Sequence, residues 1–455
     1  DIMRFWQLYM FPILLAALSF FLYFIFAYNL ERTEYSKLIL LYGTIWLVFL
    51  ILMKLFKDHL KFLVFVSFAI RVIFLLAIPN LSQDFYRFLW DGRMILEGIN
   101  PYLFTPESFI EANKFPVPQA LELYNGMGAL NGSHFTNYPP IKQLCFTVAA
   151  LFSGHSIIGS VVVLRLLIVL ADFGTFFFGR KLLKKLNLSE SNIFWYILNP
   201  FIIIELTGNL HFEGIMIFFL VLSLYLLHQK KWMWAGVVFA LSISVKLIPL
   251  LFLPLFFKFF RKDDNLVTID FKKLIAFYAI IGITVVLLFL PFFSSQFITN
   301  YSETVALWFN NFEFNASIYY LAREIGYLFR GYNEIAIIGK ILAGITLFSI
   351  VFLALLRRNQ TNRQLIVNML FAMSIYLFLS TTVHPWYLST LLVLSIFTKY
   401  KFPVVWSFVI ILSYLAYLNL NSADKSENLW VIALEYLIVF SVLIWEVFRK
   451  PKIYD

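Results

Sequence analysis

The chain predicts an all-α polytopic membrane protein. Three observations carry that reading. Of its 455 residues, 61% are hydrophobic and only 14% are charged, whereas a soluble domain carries about a quarter charged residues. Mean hydropathy is +0.82. Apolar runs recur along the whole length, close to the roughly 20 residues that a helical crossing needs.

Taken in order, the first run covers 8–28. It is longer than a signal-peptide core and lacks a small-residue cleavage site, so it reads as a span. Further spans fall at 37–54 and 62–79. Residues 82–99 then read as a helix outside the membrane, with Ser82 as N-cap, Gly98 as the stop and Pro101 beyond it. The apolar piece 141–153 dips into the membrane and returns, because a full crossing there would carry the Arg180–Lys185 cluster outward. Spans at 156–179, 191–207 and 214–229 follow. A hairpin of short helices at 232–245 and 247–258 is broken at Ser244–Pro249, and irregular backbone at depth needs protein or a water-filled cavity beside it. The remaining spans are 273–291, 335–356, 365–381, 386–398, 403–420 and 429–447, for about 12–14 crossings in a single domain over 1–455.

Charge sets the orientation. The net charge of +10 comes from clusters such as Lys54/Lys57/Lys61, Lys258/Arg261/Lys262, Arg357/Arg358/Arg363 and Arg449/Lys450/Lys452. These read as cytoplasmic loops rather than a nucleic-acid surface. Both termini then lie in the cytoplasm. Two long loops, 80–140 and 292–334, fall on the outer side. The single cysteine, Cys145, excludes an intrachain disulfide and makes a cysteine-built metal site a poor reading.

The polar residues that need a reason gather in the outer loops. Asp84, Arg87 and Asp91 share one face of the 82–99 helix, and Arg93 follows. An Asp at a wet membrane border can serve as a base toward a hydroxyl. Arg87 and Asp91 also have the spacing of a plain ion pair. In Asn137-Tyr138-Pro139-Pro140 the prolines suit a helix start, and they make a rigid corner for Tyr138. His211 and Glu213 lie in a turn facing the same cavity, where solvated surface roles are the alternative. With Asp84 they could also bind a divalent metal, although the spacing is not diagnostic. Lys246 sits in an apolar hairpin, where a lysine needs a partner or water. A membrane-level phosphate would suit it, and snorkelling is the competing account. His384-Pro385-Trp386-Tyr387 opens a span. Trp386 and Tyr387 are ordinary interfacial anchors, and His384, a residue type that titrates near neutral pH, could donate to a phosphate or leaving group. Asn315, Glu313 and Tyr319 could line another wall.

With these residues placed, the chain resembles the GT-C superfamily of integral-membrane glycosyltransferases, in particular the polyprenol-phosphate-mannose-dependent mannosyltransferases of the glycosyltransferase 87 type. The resemblance runs in order through Asp84-Phe-Tyr-Arg87-x-x-Trp90-Asp91-Gly92-Arg93, Gly98-Ile-Asn100-Pro101-Tyr102, Tyr138-Pro139-Pro140, Asn199-Pro200, His211-x-Glu213, Lys246-x-x-Pro249 and His384-Pro385-Trp386-Tyr387. It implies Asp84 as the catalytic residue of the first outer loop. Substrate would be bound by Asp91, Arg87, Arg93, Tyr138, His211, Glu213, Lys246, His384 and Tyr387. It also implies a polyprenyl-phosphate-linked sugar donor among the membrane lipids, inversion at the sugar, and a glycolipid, polysaccharide or protein acceptor. The setting would be a bacterial inner membrane with the site on the extracytoplasmic side. No cofactor is implied, and relatives differ over a divalent metal. One departure is that three spans precede the acidic loop instead of one, which an added N-terminal hairpin at 8–54 would explain. The rival class is a secondary transporter or lipid flippase. It fits less well because the polar residues cluster at one face rather than the midplane, and no inverted repeat is visible.

Overall fold

The computed structural model describes residues 2–419 and 427–449. They form an all-α polytopic membrane protein. Among them, seven helices are long and apolar enough to cross a membrane, or eight if the bent pair Pro200–Gly208 and Glu213–His228 is one span. The seven include Tyr35–Phe56, Ile157–Lys185, Phe271–Phe292, Ile335–Leu356 and Leu429–Phe448. The other expected crossings are shorter or broken. Leu60–Ile73, Trp232–Ile243 and Leu388–Ser395 are helices of 8 to 14 residues, and Pro140–Ser153, expected to dip rather than cross, has 14. Lys450 and Lys452, read as cytoplasmic, lie outside the described residues.

The interior is apolar and continuous, from Phe26 and Tyr42 through Phe88 and Ile203 to Trp406 and Tyr414. The long helices leave their outward apolar side chains uncovered, among them Leu170, Ile275, Phe348 and Leu437. This is the surface that a lipid bilayer would solvate.

Four connections position the site. First, the helix after the third apolar segment runs Phe85–Leu96 rather than from Ser82. Asp84 takes the N-cap position in αR geometry without a side-chain cap bond. The Ser82 hydroxyl accepts from the Asp84 N–H at 3.3 Å instead, so it fixes the loop and leaves the carboxylate uncommitted. Gly98 ends the segment as expected, at φ +77° with Ile99 N–H bonded back to Met94 O. Second, Gly92 lets this helix touch Pro140–Ser153: a Cβ there would sit 2.2 Å from Phe146 O. Phe88 stacks on Phe146 across the same contact at 4.6 Å. Third, the predicted span 191–207 is a chain of short pieces that ends in a π-turn, Ile203–Gly208, and bends by 116° into Glu213–His228. Buried Arg165 donates to the carbonyls of Thr207 (2.8 Å), Gly208 (2.9 Å) and Leu75 (3.0 Å). Those carbonyls would otherwise be orphaned inside the fold. Apolar pattern alone could not reveal the break, because all of its side chains are buried. Fourth, the break expected at Ser244–Pro249 is present between Trp232–Ile243 and Ile248–Lys258.

The first two spans form a hairpin built into the rest. Asn80 Nδ2 donates to Phe26 O (2.8 Å) and Leu30 O (3.0 Å), and Tyr42 OH donates to Ser407 O (2.5 Å).

Candidate active site

Backbone interruptions bring the polar residues together. Asn209 sits in the turn after the π-helix. Its Oδ1 accepts from Leu81 N–H at 2.8 Å, while its Nδ2 donates to Ile204 O at 2.9 Å. This side chain ties the Asp84 loop to the turn carrying His211 and Glu213. Ser244 O, freed where the short hairpin breaks, accepts from the N–H groups of Ile141 (3.0 Å) and Lys142 (3.4 Å). It thereby caps the helix that starts at Pro140 and brings Lys142 beside Lys246.

The resulting constellation is compact. Lys246 Nζ pairs with Glu213 Oε1 and lies 4.2 Å over the Tyr387 ring. Glu213 is buried, so the pair is a partly desolvated one. Lys142 is buried and lies 4.1 Å over Tyr138 and 4.9 Å over Phe88. No ion pair holds Lys142 among the described residues. Trp386 stacks on His211 at 3.8 Å and on His384 at 4.7 Å. His211 Nε2 and His384 Nδ1 are both buried without a hydrogen-bond partner. The His384 segment is held by a bridge between Phe314 and Thr382, with Val383 N–H donating to Phe314 O at 2.8 Å.

Asp84 faces this group. No side chain donates to its carboxylate among the described residues. Burial raises its pKa above the usual carboxylate value; Glu213 adds to the rise, while Lys142, Lys246 and Arg32 oppose it. His384 is pushed the other way, to about 3, by burial and then by Lys246. It is therefore neutral at pH 7, which corrects the expectation that it titrates near neutrality.

Other expected residues sit elsewhere. Arg87 Nε bonds Asp91 Oδ1 at 3.1 Å with both side chains buried. Gln143 Nε2 donates to Asp91 Oδ2 at 2.9 Å, and Arg87 Nη1 donates to Asn131 O and His134 O. The plain ion pair is thus the arrangement formed, and it knits the helices behind the site. Arg93 Nη1 donates to Pro118 O and Gln119 Oε1, anchoring the loop at its far end. It is not among the charges acting on Asp84. Asn315 bonds Glu427 and Glu435, and Glu313 bonds Tyr319 and Arg323, in a separate polar cluster. Among the described residues no three His, Cys, Asp or Glu side chains gather to hold a metal ion. Asp84, His211 and Glu213 are not such a group, and Glu213 pairs with Lys246.

Sequence reasoning missed two cations. Lys142 stands two residues after Pro140 in an apolar dip, the same signal that singled out Lys246. Arg32 comes from the turn of the first hairpin. It donates to Leu81 O at 3.3 Å and lies 3.7 Å over Tyr417. Nothing near Arg32 in the chain could have announced that contact.

The family model described as alpha-(1->6)-mannopyranosyltransferase, N-terminal domain, matches residues 23–260. The chain belongs to this mannopyranosyltransferase family. The matched stretch starts inside the first hairpin and contains Asp84, Lys142, His211, Glu213 and Lys246. Alpha-(1->6)-mannopyranosyltransferase A of Corynebacterium glutamicum is 23% identical over 188 residues, covering 41% of this chain and 36% of that relative. The aligned region thus spans about a third of the curated relative's length.

Proposed function

We propose that the chain is a membrane glycosyltransferase that moves mannose from a polyprenyl-phosphate donor to an acceptor hydroxyl, with inversion. The acceptor is a glycolipid, a polysaccharide or a protein. We place it in the GT-C superfamily, near the glycosyltransferase 87 type, in a bacterial inner membrane with the site on the extracytoplasmic side. Family membership supports the sugar and the reaction class. The observation that carries the site is the meeting of Asp84, Lys142, the Lys246–Glu213 pair and His384 in one cluster, although Asp84 and His384 are 300 positions apart in the chain.

In this reading Asp84 accepts the acceptor's hydroxyl proton. The acceptor oxygen attacks the anomeric carbon, and the carbon–oxygen bond to the phosphate breaks. The polyprenyl phosphate leaves with that electron pair. Lys142 holds the phosphate and stabilises the charge that develops on it. A buried ammonium that lies over aromatic faces and is held by no ion pair gains from an incoming anion. Glu213 already compensates Lys246, whose role is to orient rather than to carry the main charge. His384 donates as a neutral imidazole. Transfer of labelled mannose from polyprenyl-phosphate mannose to a lipid extract, in membranes containing the protein, tests the reading. Absence of a new mannosidic bond from such membranes would refute it.

Two outcomes follow here. Lys142→Met raises KM for the donor by about 10- to 100-fold, since a charged hydrogen bond contributes about 1.5–3 kcal/mol, and Lys142→Arg keeps part of the affinity. Donor titrations at fixed acceptor measure it; an unchanged KM would remove Lys142 from the phosphate site. The second outcome is a pH profile. A base must be deprotonated, so kcat/KM rises with pH through the pKa of Asp84. Burial sets that limb above the ordinary carboxylate range of about 4. His384, at about 3, adds no limb between pH 5 and 8. Rates measured from pH 4 to 9 decide this, and a flat acid side would count against Asp84.

A further inference from the structure

At the opposite membrane border lies a second cationic site. Ile335–Leu356 runs for 22 residues, about 33 Å. Near its start, Gly339 packs against Phe309 O and Thr381, at the level of the strand-like segment leading to His384. Its far end opens into a cavity of about 400 Å³. Lys258, Arg261, Arg357 and Arg358 line the cavity, together with Leu356 and Phe271. The four cations come from two segments of the chain, with Arg261 and Arg357, the closest pair between them, 96 positions apart.

Backbone carbonyls hold Lys258 and Arg261 in place. Lys258 Nζ donates to Leu355 O. Arg261 Nε donates to Lys258 O at 2.8 Å, and its Nη1 donates to Val267 O at 2.6 Å. A bridge between Arg261 and Ile269 closes the loop that forms the rim. Asp263 and Asp264 lie on that loop. Among the described residues no ion pair joins a carboxylate to Lys258, Arg261 or Arg358. Basic residues at cytoplasmic helix ends are common for reasons of topology alone. Topology does not require them to converge on one concavity.

We infer that this cavity binds the phosphodiester headgroup of an anionic membrane phospholipid. The charge matches, and basic pockets between helices at this level suit such headgroups. Leu356 and Phe271 are exposed beside the cations, where acyl chains of the same lipid would lie. A free phosphate would use the cations but leave that apolar rim unused. The inference is independent of the transfer reaction.

The test uses the full chain purified in a neutral detergent. Native mass spectrometry and thermal unfolding are recorded with added phosphatidylglycerol, phosphatidylcholine or inorganic phosphate. Phosphatidylglycerol should be retained several-fold more than phosphatidylcholine, and it alone should raise Tm. Arg261→Gln/Arg358→Gln should abolish the preference, while Lys262→Gln/Lys272→Gln, on cations outside the cavity, should keep it. If the first double variant fails to fold, Arg358→Gln alone gives the comparison, since Arg358 is exposed. Equal retention of the two lipids overturns the assignment. So does an undiminished preference in the Arg358 variant, or stabilisation by phosphate equal to that by the lipid.

Discussion

Asp84→Asn is expected to lower mannosyl transfer by about 10²- to 10⁴-fold, the usual contribution of a positioned general base. The side chains are nearly the same size, so the loss comes from proton acceptance alone. The structure predicts little cost to folding, because no side chain donates to the Asp84 carboxylate among the described residues. The backbone bonds from Arg87 N–H (2.9 Å) and Phe88 N–H (3.3 Å) to Asp84 O survive the change. Transfer assays on membranes with equal amounts of protein, paired with an unfolding midpoint, separate the two effects. Full activity in the variant would move the base elsewhere. Glu213 is a poor second choice while Lys246 occupies it.

The largest stability effect should come from inside the bundle. Arg71 Nε bonds Asp172 Oδ2 at 2.8 Å, with both side chains fully buried. Thr207 Oγ1 adds a bond to the same oxygen at 3.3 Å. Asp172→Leu strands a guanidinium away from water and should cost about 3–5 kcal/mol, whereas replacing both partners with apolar residues is often neutral. The double variant Arg71→Met/Asp172→Leu should therefore recover most of the loss. Reversible unfolding in detergent measures both. Additive losses in the double variant would show that the two residues act separately. The pair also borders the π-turn through Thr207, so the single variant should loosen the turn that carries His211 and Glu213.

The fold class was legible because hydropathy is a property of composition, and lipid imposes it on every outward face. Breaks written in local chemistry were legible too. Gly98 stops its helix, and Ser244–Pro249 interrupts the short hairpin. The π-turn at Ile203–Gly208 was not, since its hydrogen bonds are completed by Arg165, some forty positions earlier. Ser82 was misplaced as an N-cap because the Ser hydroxyl competes for nearby backbone N–H groups outside helices as readily as at their ends. In the site, Lys246 could be named from its cost in an apolar setting, whereas Asp84, Glu213 and His384 were named from their place at the outer membrane border and from the resemblance. Lys142 carried the same cost and was passed over beside the two prolines. Arg87 and Asp91 show the reverse case: their spacing on one helix face favoured an ion pair over a binding role, and the structure forms that pair, with Gln143 bonded to the other Asp91 oxygen.

The hairpin formed by the first two spans has a practical consequence. Arg32 reaches Leu81 from its turn, and Asn80 is fastened to its backbone at Phe26 and Leu30. A version trimmed to begin at Lys57 would keep every motif that suggests chemistry. It would nevertheless lose the hairpin bracing the Asp84 loop, so minimal versions designed from motifs alone should be inactive for a mechanical reason.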